Sequence, residues 1–220
     1  MSSYQKGCLY MNFSQRIDPS QSALVIVDVQ NDYCHKDGFL ANQGNDVTMV
    51  DQMLPSLKNL IGQARENNVP IIFVRTIHEE STDSDTWTSR MKSSNTKNQG
   101  LCRQGTWGSE FYQLEPQPDD IIVTKHRYSA FIHTRLESVL RTLKTKTLIM
   151  AGVSTNVCVE STARDGFMLD YDVVFLSDCT AAYSKQAHDM TLSNISTYFG
   201  SVNTSNQVSD TWNKKVLKVK

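Results

Sequence analysis

The stretch LIMAGVSTNVCVESTARDGF (residues 148–167) begins as an apolar run, halts at Gly152 and resumes with helical spacing, with Cys158 in the opening turn. A β-branched run, a glycine turn and a helix in that order read as one β-α unit of a parallel sheet. Similar runs stand at ALVIV (23–27), IIFV (71–74), IIVT (121–124), TLIM (147–150) and VVFL (173–176). Their near-continuous apolarity is the signature of strands buried on both faces. Between them, apolar residues recur every three or four positions over residues 50–67, 134–143, 156–169 and 186–198, which predicts helices. The alternation predicts a doubly wound α/β fold, a mostly parallel sheet with helices on both faces.

Residues 20–210 read as one domain, preceded by an N-terminal extension (1–19) and followed by a basic tail (211–220) read as a frayed terminus. From about residue 78 to 120 the periodicity fails, and polar residues and glycine surround Trp87 and Trp107. A loop insertion of that length in a compact domain is more often functional than idle. The two tryptophans are candidates for a lid over a site or for a subunit contact.

With 22 Lys and Arg against 23 Asp and Glu, the chain carries a net charge of -1. Acidic and basic residues are interspersed, so the footprint of a nucleic-acid or anionic-membrane binder is missing. The expected partner is a small molecule. No window approaches the roughly 20 apolar residues that span a bilayer, and the N-terminus lacks a signal-like core, so a soluble cytoplasmic protein is expected. The five cysteines (8, 34, 102, 158, 179) form no CxxC pair and are read as free thiols rather than disulfides or zinc ligands.

In an open parallel sheet the ligand site lies beyond the carboxyl ends of the strands. The first strand ends in Asp28, the IIVT strand in Lys125, and the helix after Gly152 opens with Cys158. Each alone has an ordinary reading as a turn cap, a solvated lysine or a buried thiol. Together they suit acyl transfer: a cation and a helix N-terminus lower the thiol pKa, and a carboxylate moves the proton. The turn's backbone N–H groups at Ser154 and Cys158 are placed to hold the oxyanion. A phosphate cradle is missing, since the Gly152 turn is not GxGxxG.

These residues resemble the isochorismatase-like cysteine hydrolases. The matching segments are ALVIVDVQND (23–32), the Lys125 strand end, and GVSTNVCVESTARDGF (152–167) followed by VVFLSDCTAA (173–182). The resemblance covers roughly residues 20 to 205. It implies the isochorismatase-like fold with a six-stranded sheet and a catalytic triad of Asp28, Lys125 and Cys158. It also implies a cis peptide at Val153–Ser154 whose N–H joins the oxyanion hole.

Within the family, the segments 105–141, 156–167 and 194–200 look most like ureidoacrylate amidohydrolases and biuret hydrolases. That implies a metal-independent cysteine amidohydrolase without cofactor, cleaving a C–N bond of a small ureido or carbamoyl compound through a thioester and releasing ammonia. A nicotinamidase-type or N-carbamoyl amino acid amidase is the alternative, but the Asp-x-His metal pair of nicotinamidases does not occur in this sequence. Homo-oligomers, dimers or tetramers, are expected from the family.

Pocket candidates are Tyr33 in the loop after Asp28, Tyr128 three residues beyond Lys125, and His78 after the second strand. Aromatic packing at the sheet edge competes with a binding role for the tyrosines. His35, His133 and His188 are read as satisfied structural residues, and strand alternation points His126 away from the site.

Overall fold

A computed structural model describes residues 12–89 and 100–216. The elements run α1 (Phe13–Arg16), β1 (Ser22–Val27), α2 (Asn31–Cys34), α3 (Phe39–Asn42), α4 (Thr48–Glu66), β2 (Ile71–Thr76) and α5 (Asp85–Ser89). They continue with β3 (Ile121–Lys125), α6 (Leu136–Thr142), β4 (Thr147–Val153), α7 (Glu160–Met168), β5 (Asp172–Ala181), α8 (Lys185–Asn194), β6 (Ser201–Asn203) and α9 (Ser205–Val216). The sheet has six strands in the order β3-β2-β1-β4-β5-β6, and every pairing between them is parallel.

Alternation along the strands divides the core between two faces. Leu24 and Ile26 of β1 face one layer with Leu57 and Leu60 of α4 and Val208 and Trp212 of α9. Ala23, Val25 and Val27 face the other with Leu136 and Leu140 of α6, Ala163 of α7 and Ile195. All six β1 residues are buried, as a central strand covered on both sides requires.

The strand order reverses between β1 and β4. The chain therefore opens its crevice at the carboxyl ends of these two strands, where Asp28 and the Gly152–Cys158 turn stand.

The packed body extends past the boundaries read from sequence. Ile17 is fully buried, and its carbonyl accepts a hydrogen bond from Trp212 Nε1 at 2.8 Å. Trp212 is itself fully buried, so residues 211–216 continue α9 rather than forming a frayed tail. One buried turn anchors this helix, and its surrounding polarity hid that turn. Cys8, Lys218 and Lys220 lie outside the described residues. No described helix is long and apolar enough to cross a membrane.

Candidate active site

The site begins with the end of β1. Asp28 takes a left-handed conformation (φ 52°) while its N–H still donates to Val74 O of β2 at 2.9 Å. A non-glycine residue is held in that region only where its surroundings enforce it. Gln30 and Asp32, two and four residues on, fasten the loop that follows. Gln30 Nε2 donates to the Thr76 and Ser109 carbonyls at 2.9 and 2.8 Å, and Gln30 Oε1 accepts from Thr76 N at 2.7 Å. Asp32 accepts from the backbone N–H groups of Phe39 (3.1 Å) and Cys102 (2.6 Å). Gly108 makes that possible: a Cβ there would lie 2.1 Å from the Asp32 carboxylate. The DVQND motif thus fastens the first loop to β2 and to the long excursion.

The ends of β2 and β3 complete a buried polar cluster. Lys125 Nζ stands 2.7 Å from Asp28 Oδ2. It donates to Thr76 Oγ1 at 2.7 Å and to Arg127 O at 3.0 Å. Thr76 Oγ1 in turn donates to Asp28 Oδ1 at 2.9 Å. Asp28 Oδ2 faces the ammonium as an ion pair but has no aligned hydrogen-bond donor among the described residues.

Cys158 arrives from β4. The Val153–Ser154 peptide is cis, and Thr155–Val159 form a π-helical turn that leads into α7. Cys158 therefore sits in this wide turn, ahead of the α-helix proper. Thr155 Oγ1 lies 3.0 Å from His188 Nδ1 of α8. Burial holds the His188 pKa below its ordinary value, so the turn leans on a neutral imidazole.

The Cys158 thiol is buried close enough to Asp28 and Lys125 for both charges to act on its ionisation. Its pKa runs against the expectation of an acidified cysteine. Burial pushes it up, Lys125 lowers it and Asp28 raises it, and the thiol is pushed up to about 12. The cation is in place, but the site is too dry for it to win. Burial alone would lower the Lys125 pKa; Asp28 and then Cys158 more than offset this, so it rises above its ordinary value.

Above the cluster is a cavity of about 380 Å³. Its walls include Tyr33, Phe39, Trp87, Leu101, Tyr128 and Tyr183, with Lys125, Ser154 and Cys158 at its base. Tyr33 and Tyr128 thus line it as the sequence suggested. His78 does not: its Nδ1 accepts from Trp87 Nε1 at 3.3 Å, so it supports a wall residue from behind. His126 is bonded to Ile77 O at 2.8 Å, away from the cavity. The two tryptophans part company, since Trp87 is in the wall and Trp107 is exposed beside His35. Thr76, Gln43, Asn45, Arg127 and Tyr183 also line the cavity and were missed. Thr76 was findable, because it ends β2 just as Lys125 ends β3.

A buried thiol, ammonium and carboxylate at the switch point of a doubly wound sheet are the architecture of an α/β cysteine hydrolase. The comparisons agree. The Isochorismatase domain model matches residues 22–207. A ureidoacrylate amidohydrolase RutB from Pseudomonas syringae pv. syringae is 35% identical over 198 residues, which are 84% of this chain and 81% of that protein.

Among solved structures, a cysteine hydrolase from Pseudomonas syringae pv. phaseolicola superposes with a TM-score of 0.81 at 29% identity, covering 90% of this chain and 95% of that one. An isochorismatase-like hydrolase from Alkaliphilus metalliredigens gives 0.73 at 29% identity, covering 87% and 99%. The chain belongs to the isochorismatase family. It is a hydrolase by family, and the curated relatives it matches are ureidoacrylate amidohydrolases.

Proposed function

We propose that the protein cleaves the C–N amide bond of a small ureido or carbamoyl compound, ureidoacrylate-like or biuret-like, through a thioester on Cys158, and releases ammonia. The observation that carries this is one buried thiol at the base of a cavity, beside a buried ammonium–carboxylate pair whose two charges both act on it.

The resting nucleophile is a neutral thiol, so attack and proton loss go together. Sulfur forms its bond to the substrate carbonyl carbon as Asp28 Oδ2, which no aligned donor occupies, takes the S–H proton. The carbonyl π pair moves to oxygen, which the backbone N–H groups of Ser154 and Cys158 receive. Lys125 keeps the carboxylate and the forming thiolate beside one positive charge. Asp28 then returns the proton to the amide nitrogen, the C–N bond breaks, and ammonia departs.

A water attacks the thioester carbon with Asp28 accepting its proton. The C–S bond breaks and the sulfur recovers that proton. Each group in this cycle comes from the chain, and the reading is a metal-independent enzyme without cofactor.

The test is ammonia release from ureidoacrylate, biuret, N-carbamoyl amino acids and nicotinamide in the presence of EDTA, beside Cys158→Ala. Turnover of a ureido compound that survives EDTA and vanishes in the variant is expected. Activity confined to nicotinamide and lost in chelator would replace this reading with a nicotinamidase-type one. Release indifferent to Cys158 would sink the thioester.

A further inference from the structure

The cavity over Cys158 is lined by two cations and, among the described residues, by no carboxylate. One cation is neutralised from below: Lys125 is paired with Asp28. The other is Arg127, half-buried in the wall. No Asp or Glu of the described residues forms an ion pair with it.

Its guanidinium is nevertheless held in place. Nη1 donates to Thr82 O at 3.1 Å and to His126 O at 2.7 Å, and the group lies over the Trp87 ring at 4.9 Å from the centroid. Both of these bonds use the same nitrogen. The opposite edge, Nε with Nη2, makes no hydrogen bond among the described residues and is the fork that matches a carboxylate with two parallel N–H donors.

The surroundings strengthen the case for an anion. Phe39, Leu40, Leu101, Val157 and Trp87 make much of the wall apolar, and a charge pair gains strength where water is excluded. The arginine is also close to the chemistry in the chain, because its own carbonyl accepts from Lys125 Nζ at 3.0 Å.

We propose that Arg127 is a carboxylate subsite and that the substrate is a ureido acid. Its carbamoyl carbon lies at Cys158 and its carboxylate on the Nε/Nη2 edge of Arg127. The position of the carbamoyl end rests on the thioester reading above. Neutral carbamoyl compounds such as biuret, and neutral ring amides, leave this fork empty and are poor substrates.

Two measurements test it. The first is kcat/KM for ureidoacrylate and for its methyl ester, in the wild type and in Arg127→Gln. The wild type is expected to favour the acid by roughly 10- to 100-fold, the range of a charge-assisted bidentate contact. In the variant the acid-to-ester ratio should collapse toward one, mainly through KM. A ratio that survives in Arg127→Gln overturns the proposal.

The second needs no turnover and so separates failure of the subsite from failure of the thioester reading. Cys158 is alkylated with iodoacetate and with iodoacetamide, and the ratio of the two saturable rates is compared between wild type and variant. A fall of about tenfold in the preference for the anion is expected, and an unchanged ratio overturns the subsite. Should Arg127→Gln fail to fold, Arg127→Met carries the same ratio tests, with thermal unfolding reporting which variant is native.

Discussion

Lys125 Nζ lies 2.7 Å from Asp28 Oδ2, and the two side chains are 1% and 0% exposed. Such a pair contributes little net stability, because desolvation offsets most of the attraction, yet removing one partner strands a buried charge. Lys125→Met and Asp28→Asn should therefore each cost about 3–5 kcal/mol in denaturant unfolding. The double variant should lose markedly less than the sum. An additive double-mutant cycle would show that the two groups do not sense each other.

Thr76 joins the same two residues, accepting from Lys125 and donating to Asp28 Oδ1. Its hydroxyl therefore fixes which carboxylate oxygen is left for the thiol. Thr76→Val keeps the shape of the side chain and removes the relay. It should lower kcat by roughly 10- to 100-fold with little change in KM. Thr76→Ser should recover most of it. Equal damage by Val and Ser would assign Thr76 a packing role only.

The sheet was legible in the sequence because strands buried on both faces read as unbroken apolar runs. β6 was not, since Ser201–Asn203 is a short, half-buried edge strand with no such run. Asp28, Lys125 and Cys158 were legible because each stands at or just after a strand end on one edge of the sheet. Much of the cavity wall was not: Phe39 and Gln43 in one short helix and its cap, Leu101 in the long excursion and Tyr183 after β5 share no common period. The thiol shows the same limit from another side. Its cation was legible because Lys125 ends a strand on the same sheet edge, whereas the burial that overrides it is a property of the whole fold.

That override has a pH signature. The thiol pKa is raised from its ordinary value of 9.0 to about 12, so the folded chain keeps a proton that the unfolded chain releases. Stability from this group is therefore complete below pH 9 and drains as pH climbs toward 12. The slope is at most about 1.4 kcal/mol per pH unit. Wild type should lose more stability than Cys158→Ala across that window in denaturant titrations. Alkylation of the free enzyme by iodoacetamide should still be rising at pH 10 rather than reaching a plateau near neutrality. A plateau at pH 7 would mean that the thiolate is already present at rest.

Gly152 decides where the nucleophile's turn begins. It pairs with Val27 in the β1–β4 register and adopts φ 112°, and a Cβ there would stand 2.1 Å from Val27 O. Neither the conformation nor the space admits a side chain. The atom in the way is central-strand backbone and cannot swing aside. Gly152→Ala should therefore separate β4 from β1 at the switch point, one residue before Asp28. The expected cost exceeds about 4 kcal/mol, beyond the usual range for single substitutions. Thermal unfolding of the purified variant checks this, and a loss below about 1 kcal/mol would show that the strand ends can shift to make room.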